Sequence, residues 1–287
     1  MAVAEALFAG LIDDAAMFPP GNASAAAAIT GHAVCRRSWF APLIGPLVVR
    51  DADLALVGDA RRAVAGHDAE PLAVSVVTSR GAGGLISLSG THVDGIRIVA
   101  AESALRDLDD LVGNAVRVVT AAADLSEDIT VFVEFPFTAG WERAVEEVEA
   151  AGLFGKIRTG GPDPADTPPS SQLARQLGVL IDADLPFKAT AGLHHAWAEP
   201  GPDPYLPRRH GFLNVLITVE AIVDGASEAE AAELLGGAEP GVLLDRLRAW
   251  GDREVVRVRR RFRSFGCCGV QDPVGDLVTL GLLDEPR

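Results

Sequence analysis

"AVRVVTAAA", residues 115–123, decides how many strands this chain has. Its valines suit a strand, yet they also continue the helical spacing of "SALRDLDDLVG" (103–113) immediately before it. The count that follows separates an open sheet from a closed barrel. If 115–123 is helix and "LIDDAAMF" (11–18) holds a first short strand, the β-branched runs number eight. The other seven are "IGPLVVR" (44–50), "PLAVSVVTS" (71–79), "GIRIVA" (95–100), "ITVFVEF" (129–135), "LFGKIRT" (153–159), "PFKATAG" (186–192) and "FRSFGCC" (262–268).

Amphipathic stretches separate these runs. "GWERAVEEVEAAG" sets Trp141, Ala144, Val145 and Val148 on one face and stops at Gly152. "PSSQLARQLGVLI" is expected to start from Ser170 or Ser171 as N-cap, and "ASEAEAAELLGG" carries Ser227 and Glu230 at capping-box spacing. Strands apolar on both faces and divided by helices imply a parallel sheet covered by helices. Eight of them in a chain of this length predict an α/β fold, the (β/α)8 TIM barrel, as one domain over 1–287. Residues 193–261 exceed an ordinary strand-to-strand helix. They are expected to form an extended elaboration between strands 7 and 8: a Pro-rich loop, "AEPGPDPYLPRR", then two or three helices.

The bulk numbers narrow the partners. Of 287 residues 48% are hydrophobic, enough for a substantial core, and the net charge of −15 argues against nucleic acid and anionic membranes. The start lacks the basic segment of a secretory signal, and no apolar run is long enough to span a bilayer, so a soluble cytoplasmic protein is expected. Cys35, Cys267 and Cys268 give neither a disulfide framework nor a CxxC zinc spacing, and no metal or organic cofactor is expected. Barrels commonly pair as homodimers; no interface is legible in this sequence.

The chemistry concentrates in "GKIRTGG" (155–161) and its echo "FKATAGL" (187–193), each a lysine in an apolar run followed by threonine and glycine. In a barrel, Lys156 and Lys188 would face a common mouth from consecutive strands. A lysine left unpaired beside a second cation in an apolar mouth loses its ammonium proton more easily, and a neutral amine can form a Schiff base with a carbonyl. The alternative is that one or both pair with Glu134 or bind an anion.

This pair resembles the deoxyribose-phosphate aldolase family of class I aldolases. Lys156, Thr159 and Gly160 resemble that family's sixth strand, and Phe187, Lys188 and Gly192 its seventh. Ile12, Asp13 and Pro19 match its opening strand, "VFVEFPF" with Glu134 its fifth, and "RFRSFGCCGV" with Ser264 and Gly266 the eighth, whose turn binds the substrate phosphate. The resemblance implies a TIM barrel, an imine at Lys156, and Lys188 as the cation that lowers its pKa. The departures imply a divergent relative with a different substrate. The family's fourth-strand aspartate shuttles protons, and "GIRIVAAESAL" puts Arg97 in its place, leaving Asp13, Asp14, Glu102 and Glu134 as candidates for that task. Arg158 stands where the family has a small hydroxyl residue. "GLHHAW" puts His194 and His195 at the phosphate-facing turn, and Cys267 and Cys268 replace serines.

Adjacent histidines on extended chain diverge, so at most one of His194 and His195 is expected to face the site, as acid/base group or substrate donor; His210 and Asn214 have structural readings of equal standing. Arg97, Arg158, Lys156 and Lys188 as four strand-end cations predict a cationic mouth for a small anionic carbonyl or phosphorylated substrate. Two functions follow: a class I aldolase or lyase making an imine at Lys156, with Lys188, Glu134 and Asp13 as its partners, or a barrel that binds an anionic metabolite without imine chemistry, noncatalytic or phosphoribosyltransferase-like.

Overall fold

A computed structural model describes residues 3–65, 70–136, 138–201, 203 and 205–286. Eight strands run β1 (Ile12–Asp14), β2 (Ile44–Arg50), β3 (Leu72–Val77), β4 (Ile96–Ala104), β5 (Thr130–Glu134), β6 (Phe154–Arg158), β7 (Phe187–Thr190) and β8 (Phe262–Cys267). Each pairs in parallel with the next, and β8 returns to β1, closing the barrel. Seven helices precede or link the first seven strands: α1 (Val3–Phe8), α2 (Ala25–Cys35), α3 (Leu54–Ala65), α4 (Ala82–Ser89), α5 (Leu111–Ala122), α6 (Trp141–Ala150) and α7 (Ser170–Asp182). Between β7 and β8 lie α8 (Phe212–Val223), α9 (Glu228–Gly236), α10 (Pro240–Arg248) and α11 (Asp252–Arg261), and α12 (Gln271–Thr279) follows β8. This is the expected (β/α)8 barrel, with four helices after β7 where two or three were foreseen.

The deciding segment is helix. Leu111, Asn114, Ala115, Val118, Ala121 and Ala122 are buried at helical spacing while Val116 and Arg117 face water, a burial pattern that strand alternation cannot produce. Asp110 caps it, its carboxylate accepting the Gly113 N–H at 2.9 Å. Apolar periodicity and a cap outweigh the β propensity of three valines. The capping box of Ser227 and Glu230 starts α9 as expected. Helix α7 departs from expectation: Pro169 takes the N-cap position and neither serine caps it.

Strand β4 is longer than its apolar run suggests. Val74 pairs with Ile98 but Ser75 with Ala100, so Val99 is an extra residue, a bulge that breaks the alternation. Beyond the bulge the strand continues to Ala104 and brings Glu102 to the barrel's interior.

Helix α8 is buried along almost its whole length, and Phe212 stacks on Phe265 of β8 with ring centroids 5.3 Å apart. Truncating such a ring to alanine costs about 3–5 kcal/mol. Asn214 is held structurally: its side chain accepts from Ala198 N at 2.8 Å and donates to Leu234 O at 2.7 Å, tying α8 to the loop after β7 and to α9. Among the described residues no helix is long and apolar enough to cross a membrane.

Candidate active site

Parallel strands deliver all their C-terminal ends to one mouth. There a cavity of about 860 Å³ opens, walled by residues that include Glu102, Glu134, Lys156, Lys188, Arg158 and His194. Strand register brings the charged groups together: Glu134 of β5 stands beside Lys156 of β6, and Lys156 beside Lys188 of β7.

The two lysines do not face each other across an empty gap: a carboxylate lies between them and offsets their repulsion. Glu102 Oε2 is 2.7 Å from Lys156 Nζ, and its Oε1 is 2.7 Å from Lys188 Nζ. Ser75 of β3 donates to the same Oε1 at 2.6 Å. Lys188 also donates to Asp13 Oδ2 at 2.5 Å, which accepts from Ser264 at 2.8 Å. On the other side Lys156 Nζ lies 3.0 Å from Glu134 Oε2, and Arg158 holds Glu134 Oε1 through Nη2 at 3.2 Å and Nε at 3.3 Å. A continuous chain of ion pairs and hydrogen bonds therefore runs Arg158, Glu134, Lys156, Glu102, Lys188, Asp13, Ser264. Its lysines, Glu102 and Asp13 are almost wholly shut off from solvent.

The electrostatics follow from this alternation. Burial would push the Lys156 ammonium down, but Glu102 and then Glu134 outweigh it and hold the pKa above the usual lysine value. Lys188 is raised in the same way by Asp13 and Glu102 against its own burial. Burial would raise Glu102, yet Lys156 and Lys188 hold it far below the usual carboxylate range; Glu134 is likewise lowered by Lys156 and Arg158. For Asp13 burial prevails over Lys188 and Ser264, and the carboxyl sits above its ordinary value. Asp13 is thus the readiest of the three carboxylates to take a proton.

Several expectations change accordingly. The lysines are paired, so burial and the like charge of Lys188, which both lower Lys156, are outweighed by Glu102 and Glu134. The mouth is not cationic through surplus strand-end charge either: Lys156, Lys188 and Arg158 are matched by Asp13, Glu102 and Glu134. Arg97 is exposed near the start of β4, opposite Ala73, at the far end of the barrel from the cavity. The β4 residue at the site is Glu102, since the strand runs four residues beyond Ala100, where the apolar run was read to end, and the bulge at Val99 inside that run resets which side chains face inward. Asp14 turns outward to His32 at 3.0 Å and takes no part.

Thr159 is buried, and its hydroxyl donates to the Ala191 carbonyl, binding the turn after β6 to that after β7. Gly192 has φ +88°, and a Cβ there would come within 3.0 Å of Thr159 O and 3.1 Å of Gly160 Cα, so both glycines serve this close backbone approach. Ser264 faces Asp13 inside the barrel, not a phosphate turn. Gly266 lines the mouth.

His194 and His195 both border the cavity, where at most one was expected to face it. His194 contacts Cys267 Sγ at 3.6 Å and Cys268 Sγ at 3.8 Å, with Asp272 at 3.7 Å; burial, opposed by Asp272, lowers its pKa and keeps the ring neutral at pH 7. Cys267 is pushed up to about 12 by burial, so its thiol is inert at neutral pH. His195 is exposed and turns to Asp276 at 3.3 Å. His210 is buried, its Nε2 2.8 Å from Pro168 O. A carbonyl there requires the proton on Nε2 and makes this histidine a clamp on the loop before α7. Among the described residues no three His, Cys, Asp or Glu side chains are grouped to hold a metal ion.

Two residues escaped the sequence reading. Ser75 had a signal, as a hydroxyl inside the apolar run "LAVSVV". Arg106 reaches the cavity wall from just beyond β4, where "SALRDLDDLVG" reads as part of a helical stretch. No family model, curated protein or solved structure matches this chain.

Proposed function

We infer that the protein is a class I aldolase- or lyase-like enzyme that forms a Schiff base between Lys156 and a small anionic carbonyl compound, as the resemblance to the deoxyribose-phosphate aldolases implies. The observation that carries this reading is the buried chain Lys156–Glu102–Lys188–Asp13 on the wall of a cavity of about 860 Å³. A chain of alternating donors and acceptors supports proton movement, and imine chemistry needs protons moved more than once.

Lys156 rests as an ammonium. To attack a carbonyl carbon it first passes a proton to Glu102, 2.7 Å away, or Glu134, 3.0 Å away. The departing hydroxyl then takes that proton and leaves as water. Overall R–NH3⁺ and O=C become R–NH⁺=C and H2O, so nitrogen keeps its positive charge and Glu102 keeps its ionic partner. The ion-pair network that raises the amine's pKa also favours the protonated imine over the neutral one, and the protonated imine is the electron-withdrawing species that carbon–carbon cleavage uses. Lys188 and Asp13, with its raised pKa, extend the relay.

Lysines held as paired ammonium groups also leave a second reading, in which no imine forms and the barrel binds an anionic metabolite through Arg158 at its rim. Borohydride trapping separates the two. Purified protein is reduced in the presence of small aldehydes, 2-oxo acids and sugar phosphates, then read by intact mass and peptide mapping. An adduct on Lys156, missing in Lys156→Met, is the expected result; no adduct with any carbonyl moves the assignment to the second reading.

A further inference from the structure

The geometry points to a substrate class for this site: a 2-oxo acid, its carbonyl carbon at Lys156 Nζ and its carboxylate on Arg158, with Arg106 on the same wall. This inference rests on the Schiff-base reading above and specifies what that base is made with.

Three observations converge. First, Glu134 fixes the spacing of the two cations. One of its oxygens takes Lys156 Nζ at 3.0 Å and the other takes Arg158 Nη2 at 3.2 Å, so the amine and the guanidinium stand on either side of one carboxylate. In a 2-oxo acid the carboxylate carbon lies one C–C bond, about 1.5 Å, from the carbon that joins nitrogen. A guanidinium–carboxylate contact adds about 2.8 Å. A carboxylate bonded to the imine carbon thus falls within reach of Arg158. An aldehyde presents only hydrogen there. Second, Arg158 has donors to spare. Nε and Nη2 serve Glu134, while its side chain is 44% exposed at the rim, leaving the rest of the five-donor fork toward the cavity.

Third, the opposite wall refuses a phosphate. The turn after β8 and the start of α12 are the customary anion seat of this fold. Here Asp272 occupies the first turn of α12 beside His194, and Asp276 accepts from Ala196 N at 2.7 Å. A phosphate placed there would meet a carboxylate. Across the mouth Arg106 has no carboxylate partner among the described residues. Its backbone N–H is fixed by Asn114 Oδ1 at 2.8 Å, and Leu105 N donates to Glu134 O at 3.0 Å, which ties Arg106 to the strand that bears Glu134.

The test is borohydride trapping on Lys156 as a function of the concentration of pyruvate, acetaldehyde or glyceraldehyde 3-phosphate, in the full-length protein and in Arg158→Gln and Arg106→Gln. In the wild type, half-maximal adduct is expected at a lower concentration of pyruvate than of either aldehyde. In Arg158→Gln the ratio of half-maximal concentrations, pyruvate to acetaldehyde, is expected to rise about ten- to hundredfold, the loss of a hydrogen-bonded charge pair. If Arg158→Gln also disturbs Lys156, so that neither compound traps, Arg106→Gln decides, because Arg106 does not touch Glu134; a wild-type ratio in that variant overturns the inference. It is also overturned if either aldehyde traps as readily as pyruvate in the wild type, or if pyruvate traps normally without Arg158. Those results leave imine chemistry at Lys156 standing. No adduct from any of the three probes overturns the Schiff-base reading itself.

Discussion

Glu102 Oε2 lies 2.7 Å from Lys156 Nζ, and both groups are buried but for their edge on the cavity. Since Glu102 also neutralises Lys188, replacing it by glutamine leaves two ammonium groups facing each other without their shared counter-ion. Breaking one partner out of a buried ion pair costs about 3–5 kcal/mol. Glu102→Gln is therefore expected to lower the free energy of unfolding measured in urea by that amount, with a correspondingly lower midpoint, more than any exposed substitution. An unchanged midpoint would mean that the lysines do not need Glu102 to be folded into the barrel.

Lys156 is protonated at neutral pH because Glu102 and Glu134 hold it above the usual lysine value. Its labelling by an amine-selective reagent, followed by peptide mass, is expected to rise with pH and not to level off by 10.5, the ordinary lysine value. Removing the charge of Glu134 by Glu134→Gln withdraws one of the raising influences and should move the rise to lower pH. A shift in the other direction would contradict the ion pair.

Stability should respond to acid with a definite sign. Glu102 and Glu134 have folded values below 4.5, so their contribution is complete above 4.5 and disappears as pH falls through the folded values. Lys156 and Lys188 have folded values above 10.5, so theirs is complete below 10.5 and disappears in strong alkali. Asp13, raised by burial, works against the glutamates, its contribution fading as pH rises above 3.8. Two lowered glutamates against one raised aspartate give a Tm that drops as pH is taken below 4.5. Calorimetry across that range checks it, and a Tm that climbed on acidification would show Asp13 to dominate.

Gly45 of β2 leaves room for Asp13: a methyl group there would overlap Asp13 Oδ1. Gly45→Ala is expected to push the carboxylate off Lys188 and Ser264, costing about 1–3 kcal/mol as overpacking does, and to slow adduct formation at Lys156. If both are unaffected, Asp13 has another place to sit and is not fixed by this contact.

Arg97→Ala serves as a counterpart. Exposed at the other end of β4, Arg97 should be replaceable with a change within about 0.5 kcal/mol and no effect on trapping at Lys156.

Much of this site could be read from residues alone, because strand-end charges in apolar runs stand out. Lys156, Lys188, Glu134 and Asp13 all interrupt hydrophobic stretches, and a closed parallel barrel brings such interruptions to one place. What escaped did so for local reasons. Val99 is an additional residue in β4, and an inserted residue erases the alternation by which a strand's end is recognised; Arg97 was thereby set too high and Glu102 was left as one carboxylate among four. Pairing of a lysine with Glu134 was one of the two readings left open, and Lys156 makes that pair; the Glu102 carboxylate shared by both lysines escaped because it depends on which way Glu102 points across the barrel, a relationship between residues far apart in sequence. Arg106 belongs to the same category, recognisable only once its neighbours are known, whereas Ser75 already stood out as a hydroxyl in an apolar run.

Asn114 gives the outer wall a say in the mouth. It lies in α5, the valine-rich stretch whose reading as helix brings the strand count to eight, and its Oδ1 accepts the backbone N–H groups of Arg106 and Asp107 at 2.8 and 3.1 Å. A substitution that shortens this side chain touches neither cavity nor strand, yet it frees the segment that carries Arg106. Directed evolution confined to cavity-lining positions would never sample that lever. Libraries meant to alter the preferred substrate should therefore extend to the helix surface behind β4.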